Sequence, residues 1–428
     1  MVKLCDNSKI RLYEYVYMFV MVIYMSQMTS TTTRMIAGLS APWFPFVLPI
    51  ILTFILLLRN PVNFADKNLG ILLIISAIWT LLVSYHKKLY TTSDLSFDFF
   101  LFYAILIAYI HIKVYGKKLF TTYETIIVLL CKISIPLWLI SITISPLMSS
   151  IASIFPETNL GHNILFIYNF IEPSREHFFR NSGSAWEPGR FAIMILLAIY
   201  CNLNRNGLKL KNNSELIWLI VTLGSTMSTT GYSIALLMFT ITLFKNTGFT
   251  SKIIYTIFLL PIIVGLFSLD FMGNKIETQL EVDAKVKKIK GNIEYYNATY
   301  HNGEYVSSLG RFESIYFEIE NVKHDAIFGY GRDFRKSYFN EKISSNLVLT
   351  GGIIKIFGMY GILFGSFIYY LLYKSSQRIS QKCNKKLLFV TILLSTISYE
   401  VFVVPVFTAF WLYGYFTKNS NNKSLSKT

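Results

Sequence analysis

The residues best suited to chemistry are two arginines and a glutamate in one polar stretch, FRNSGSAWEPGRF at 179–191. Arg180, Glu187 and Arg190 stand there among two glycines and a proline, directly before an apolar run. Charged groups beside a membrane helix need water, a counter-charge or an ionic ligand. Two interpretations stay open. Glu187 and Pro188 start a helix, or the stretch is half of an anion-binding active site in which Glu187 is the general base.

Other candidates lie in the second half of the chain. Arginine binds phosphate oxygens in pairs and stays charged, so Arg311 and Arg332 join the two arginines above as candidate ligands of a diphosphate. Lys355, one turn inside an apolar run, either snorkels to the interface or contacts a phosphate. Glu400, near the end of another run, is either functional or paired with another group within the bundle. We expect no metal and no cofactor, because neither ligand spacing nor a Walker loop or dinucleotide fingerprint is present.

The elements that carry these residues are apolar helices. Apolar residues make up 53% of the 428 and charged residues only 15%, which is typical of an all-α polytopic integral membrane protein. We interpret residues 1–428 as a single transmembrane domain of about twelve helices. The predicted spans are 12–28, 42–58, 69–86, 95–112, 122–147, 189–204, 215–229, 231–244, 253–270, 349–373, 387–402 and 404–417.

Charge and loop length orient the predicted bundle. The net charge of +16 lies mainly in every second short loop, which the positive-inside rule assigns to the cytoplasm together with both termini. The charge therefore reflects topology, and we predict no nucleic-acid partner. Two enlarged loops, 148–188 and 271–346, fall on the opposite side. The first contains the apolar octet Ile164–Ile171, which is too short to span and is expected to be interfacial or re-entrant.

The second enlarged loop is predicted to hold an amphipathic interfacial helix near 311–323. Five apolar residues recur there at helical spacing: Phe312, Ile315, Tyr316, Ile319 and Val322. Such a stripe, opposite charged residues, is typical of a helix that lies on a membrane surface. Arg311 is the first residue of this helix, near the level of the lipid headgroups.

Several pieces of the chain, in this order, resemble the O-antigen polymerase family, which is often grouped with the O-antigen ligases. They are RNSGSAWEPGRF at 180–191, STMSTTGYSIALLM at 225–238, GRFESIYFEIENVKHDAIFGYG at 310–331, NLVLTGGIIKIFGMYGILFG at 346–365 and SYEVFVVPVFTAFWL at 398–412. The resemblance covers about the second half of the chain, and the first five spans match in hydropathy only.

The resemblance implies a multi-pass enzyme of the bacterial inner membrane with its site at the periplasmic face. Donor and acceptor are undecaprenyl-diphosphate-linked oligosaccharides, and a chain-length regulator is the expected protein partner. By position, Arg180 and Arg311 bind diphosphate, and Glu187 or Glu400 orients or deprotonates the acceptor hydroxyl.

Two alternatives remain. Ligases of the group usually carry a His-Asn pair before the span that follows the large loop, where this chain has Ser344, Ser345 and Asn346. That difference favours the polymerase, although His162 and Asn163 stand together in the first loop. The other alternative is a flippase for lipid-linked oligosaccharides, a transporter of similar helix number. Unequal halves and few mid-membrane charges argue against it.

Overall fold

The computed structural model of this chain describes residues 10–27, 44–88, 92–155, 161–174, 178–208, 211–246, 311–331, 336–338, 341, 352–397, 402 and 404–417. Of residues 25–27, 44–48, 92–100, 246 and 311–313 it describes the backbone alone.

Helices dominate the described part of the chain, as predicted. They are α1 (Leu12–Gln27), α2 (Phe44–Arg59), α3 (Lys67–Lys87), α4 (Thr92–Tyr115), α5 (Lys118–Thr143), α6 (Ser145–Ala152), α7 (Pro188–Asn206), α8 (Ser214–Ser225), α9 (Thr229–Asn246), α10 (Arg311–His324), α11 (Gly352–Ile379), α12 (Leu387–Ser395) and α13 (Pro405–Phe416). An antiparallel hairpin of β1 (Gly161–Ile164) and β2 (Tyr168–Ile171) lies between α6 and α7.

Three of these helices, α3, α5 and α11, are long and apolar enough to cross a bilayer. Helix α3 also leaves much of its apolar surface exposed, including Ile74 at 60% and Leu81 at 67%. A continuous apolar surface of this kind favours contact with lipid. The structure therefore indicates a membrane protein. Helices also occupy the other predicted spans except 253–270, which lies outside the described residues, and their crossing of the membrane stays a prediction.

Helix α7 forms the centre of the bundle. Its residues from Pro188 to Asn204 are all buried, and α5, α8, α9 and α12 pack around it. Pro188 occupies the first turn, where a helix has no intrahelical partner for an N–H and proline therefore loses nothing. The polar stretch that begins at Arg180 thus leads directly into a helix that is buried on all sides.

Contacts between helix ends agree with the predicted alternation of sides. At ends predicted to be cytoplasmic, Asn204 Nδ2 donates to Ile379 O at 2.9 Å. At ends predicted to be periplasmic, Lys87 Nζ lies 2.7 Å from Asp325 Oδ2. Each contact joins two segments that the charge pattern assigns to one side. The cytoplasmic position of the termini stays a prediction.

The hairpin is the part of the described fold that the sequence pattern does not predict. The octet Ile164–Ile171 forms the end of β1, a three-residue turn and all of β2. Because β2 is buried throughout, most of its residues are apolar and do not alternate with polar ones. A short apolar run of this kind does not distinguish a strand from other buried segments.

Candidate functional site

Five uncharged polar residues form a buried layer beside the predicted arginine site. We call them the asparagine–serine layer: Asn163, Asn169, Asn181, Ser182 and Ser184, each no more than 2% exposed. The layer joins β2 to the loop that follows Arg180. The Asn169 N–H donates to Gly183 O at 2.6 Å, and Asn169 Nδ2 donates to Trp186 O at 3.4 Å. A polar interior of this density is unusual between apolar helices.

The register of the hairpin places its two asparagines on one face. Asn163 pairs with Asn169 across the strands, so both side chains lie on one face. Ile164, Tyr168 and Phe170 occupy the opposite face, which packs against Met148 and other apolar residues of α5 and α6. Burial raises the pKa of Tyr168 to about 12, although its hydrogen bond with Ser141 lowers it, so the phenol stays neutral. One face of the hairpin is therefore mainly apolar, and the other carries both asparagines.

Asn181 attaches the loop to the bundle. Its Nδ2 donates to Ser225 Oγ at 2.9 Å and to Ser134 Oγ at 3.3 Å, and its N–H donates to Ser225 O. Its Oδ1 accepts from the Gly183 N–H, which closes a turn typical of asparagine. Gly183 has a φ of +50°, and a Cβ there would collide with the Phe191 ring. The loop needs glycine at this position for both reasons.

Arg180, Glu187 and Arg190 border the layer. Arg180 is half-buried, and its Nε donates to Thr226 O, at the turn between α8 and α9, at 3.1 Å. Glu187 precedes α7 in extended conformation, and its side chain makes no capping hydrogen bond. Arg190 is only 8% exposed although it lies in the first turn of α7, where the helix dipole favours an anion. All three residues thus lie between the start of this loop and the first turn of α7, and their joint role in binding stays a prediction.

Three of the five non-glycine residues with positive φ in the described part of the chain lie in the hairpin turn or beside Thr226. Leu165 and Phe166, in the hairpin turn, have positive φ values of 49° and 63°, and Met227, next to Thr226, has 46°. Large side chains rarely adopt this conformation, and such residues cluster at functional sites. Strain at the hairpin turn and at the α8–α9 turn therefore adds to the case for a site here.

A second polar region lies where α10 packs against α11. Gly361, with φ 72° and ψ 169°, interrupts α11. The segment after α10 satisfies the interrupted backbone: the N–H groups of Tyr330 and Gly331 donate to Gly358 O and Met359 O, and the Ile362 N–H donates to Ala326 O. We call this pairing of residues 326–331 with residues 358–362 the helix clamp. It satisfies the backbone groups that a broken helix leaves without partners.

A buried carboxylate that is not among the predicted site residues lies next to the helix clamp. Glu318 is fully buried, and it accepts from Tyr330 Oη at 2.8 Å and from Asn321 Nδ2 at 3.3 Å. Ser314, Glu318 and Asn321 recur at helical spacing along α10 and form its buried face. A search for polar residues at a period of 3.6 would have found this face. Of the predicted apolar stripe, Ile319 is 38% exposed, and the interfacial position of α10 stays a prediction.

The structure describes only some of the remaining candidate residues. Lys355 is half-buried in the first turn of α11, on the helix that α10 packs against. Arg311 begins α10, and its side chain lies outside the described residues, as do Arg332 and Glu400 entirely. The meeting of Arg180 and Arg311 over one diphosphate therefore stays a prediction.

Two cavities in the described part of the chain lie at helix ends predicted to be cytoplasmic. One, of about 460 Å³, is lined by residues of α1 and α2, including Tyr13 and Arg59. The other, of about 410 Å³, is lined by Lys245, Lys385 and Lys386, among others. Neither includes a residue of the asparagine–serine layer or of the helix clamp. A cationic surface there agrees with the positive-inside pattern and needs no enzymatic explanation.

Comparison of this chain with protein families, with characterised proteins and with solved structures gives no match.

Proposed function

We propose that this chain is a membrane glycosyltransferase that polymerises a surface polysaccharide from undecaprenyl-diphosphate-linked glycans. The observation that carries the proposal is the grouping of Arg180, Glu187 and Arg190 beside the asparagine–serine layer, at the start of the buried helix α7. Cations suited to a diphosphate thereby adjoin uncharged hydrogen-bonding groups suited to a sugar. The resemblance of the chain to O-antigen polymerases supports the same reaction.

In this reaction a hydroxyl at the non-reducing end of a new lipid-linked repeat unit attacks the anomeric carbon of the growing chain. The bond from that carbon to the phosphate oxygen breaks, and undecaprenyl diphosphate leaves with the electron pair. Glu187 or Glu400 takes the proton of the hydroxyl. The leaving group needs cations, because its charge rises as the bond breaks. They are Arg180, Arg190, Arg311, Arg332 and Lys355.

The proposed enzyme works at the periplasmic face of a bacterial inner membrane, with a chain-length regulator as its protein partner. It needs no metal and no nucleotide in this mechanism, because the diphosphate leaving group already activates the donor.

One observation favours a second candidate, the lipid-linked oligosaccharide flippase. Helix α11 is long and apolar enough to span the membrane, and it is interrupted at Gly361. Discontinuous helices often form the substrate sites of transporters. In this chain, however, the carbonyl groups of Gly358 and Met359, at the interruption, already accept backbone hydrogen bonds within the helix clamp.

The glycan ladder of a strain that lacks this chain tests the proposal. We expect single repeat units on the surface for a polymerase, no repeat unit for a flippase, and unattached polymer for a ligase. Complementation with Arg180→Ala should restore no polymer, at normal protein level, because the diphosphate loses a cation. Arg180→Lys should also impair polymerisation, because a point charge does not replace the guanidinium fork.

Arg59→Ala is the matched control, because Arg59 is exposed at a helix end predicted to be cytoplasmic. It should give the wild-type ladder. Wild-type polymer length in both Arg180 variants would contradict the proposed role of Arg180.

A further inference from the structure

Asn163 is the most unusual member of the asparagine–serine layer. It is 2% exposed, and neither Nδ2 nor Oδ1 of its amide has a hydrogen-bond partner. Its cross-strand neighbour Asn169 does not supply one, since Asn169 Nδ2 is turned to Trp186 O. Buried amides almost always have partners, because leaving them without one costs free energy. Both polar atoms of this amide can therefore bond to a ligand without giving up a partner within the chain.

The surroundings of Asn163 allow its face of the hairpin to become accessible. Two hydrogen bonds of Asn169 join β2 to the loop, and the longer of them, to Trp186 O, measures 3.4 Å. The turn of the hairpin is strained at Leu165 and Phe166, which are 63% and 39% exposed. Separation of hairpin and loop would break both of these hydrogen bonds. It would also leave the apolar face of β2 packed on α5 and α6.

The chemistry of the layer selects the kind of ligand. An amide offers two donors and one acceptor in one plane, and a sugar hydroxyl both donates and accepts. The layer itself carries no charge, whereas Arg180 and Arg190 lie next to it. An anion would bind the arginines, and a neutral polyhydroxyl group suits the amides.

We propose that Asn163 binds a hydroxyl of the sugar attached to the lipid diphosphate, when the hairpin and the Arg180–Glu187 loop separate to admit it. The inference rests on the proposed function, and it names the sugar subsite of the same site. Arg180 and Arg190 then hold the diphosphate while Asn163 holds the first sugars.

Binding by the purified full-length protein in nanodiscs tests the inference. The two probes are undecaprenyl diphosphate without a sugar and lipid-linked repeat units extracted from a strain lacking this chain. We expect Asn163→Leu to weaken binding of the sugar-bearing probe at least tenfold and to change binding of undecaprenyl diphosphate less than twofold. Its melting temperature should equal or exceed that of wild type, because leucine of similar shape removes an unsatisfied amide.

Asn202→Leu is the matched control at the other end of α7. Asn202 is buried and bonded to Glu124 and Asn213, so its replacement should lower the melting temperature. In wild type, the sugar-bearing probe should alter amide hydrogen exchange of the hairpin, a measurement that does not depend on the variant folding.

The outcomes separate the inference from the proposed function. If wild type binds both probes and Asn163→Leu binds both equally well, Asn163 holds at most a water molecule and the inference is wrong. A marked fall in the melting temperature of Asn163→Leu, or unchanged hairpin exchange in wild type, would also overturn it. If wild type binds neither probe, the proposed function itself fails.

Discussion

The asparagine–serine layer and the helix clamp are both polar and buried, but they differ in how their hydrogen bonds are satisfied. In the helix clamp, backbone bonds pair the interrupted turn of α11, and Tyr330 donates to Glu318 of α10, which also accepts from Asn321. In the layer, the side chains of Asn163 and Ser182 have no partner. A bonded backbone resists rearrangement, whereas a buried side chain without a partner costs stability unless a ligand completes its hydrogen bonds. We therefore infer that the helix clamp is a structural element and that the asparagine–serine layer binds the proposed sugar ligand.

The largest effect that would test this comparison is at Gly361, in the helix clamp. Gly361→Ala requires alanine at a φ of 72°, and its Cβ would collide with the carbonyl group of Ile327. We expect a loss of at least about 2 kcal/mol in the free energy of unfolding, from strain and from broken clamp bonds. Thermal unfolding in detergent, followed by size-exclusion chromatography, measures it.

Gly70→Ala provides the control, because no atom lies within 4 Å of a Cβ at this helical position. It should leave the melting temperature unchanged or raise it, since alanine favours helix. An equally stable Gly361→Ala protein would show that the helix clamp is not a rigid structural unit.

A smaller effect is expected at Tyr330. Tyr330→Phe removes the hydroxyl that donates to the buried Glu318 carboxylate at 2.8 Å. We expect a loss of about 1–3 kcal/mol, because a buried acceptor loses a donor. The melting temperature of the purified variant measures it.

Tyr24→Phe is the matched comparison for Tyr330→Phe, since the Tyr24 hydroxyl is buried and has no partner. Its removal should cost nothing. A similar loss in both variants would mean that the loss reflects tyrosine packing and not the bond to Glu318.

The smallest effect is expected in the layer. Ser182→Ala removes a buried hydroxyl without a partner, so the free energy of unfolding should stay within about 0.5 kcal/mol of wild type or rise. Ser225→Ala, which removes the acceptor of Asn181 Nδ2, should instead cost about 1 kcal/mol. A clear loss of stability in Ser182→Ala would contradict the idea that the layer is incompletely bonded.

Much of the fold could be predicted from hydropathy because lipid-facing and core helices share the same long apolar pattern. The start of α7 at Pro188 and of α13 at Pro405 follows from the fixed φ of proline and its missing N–H. Hydropathy does not predict the hairpin. Its strands are four residues each, and their pairing depends on contacts with α5, α6 and the Arg180 loop.

Some residues of the candidate site could likewise be predicted from the sequence, and others could not. Arg180, Glu187 and Arg190 could be found from the sequence, because charged residues beside apolar runs are costly and therefore conspicuous. Asn163 is conspicuous only beside His162, and Asn169 is not conspicuous at all, since asparagine is common in loops. The burial of Glu318 can be found only from its helical spacing with Ser314 and Asn321, since a glutamate on an amphipathic helix is usually solvated.

The amino-acid sequence is enough to predict a helical protein that is apolar enough for a membrane, and to predict approximately where most of the described helices begin and end. Those properties follow from local composition and from the geometry of proline and glycine. The tertiary structure alone decided which polar groups are buried and which of them lack partners. Burial and hydrogen bonding depend on residues distant in the chain, as the approach of β2 to Gly183 and of Glu318 to Tyr330 illustrates.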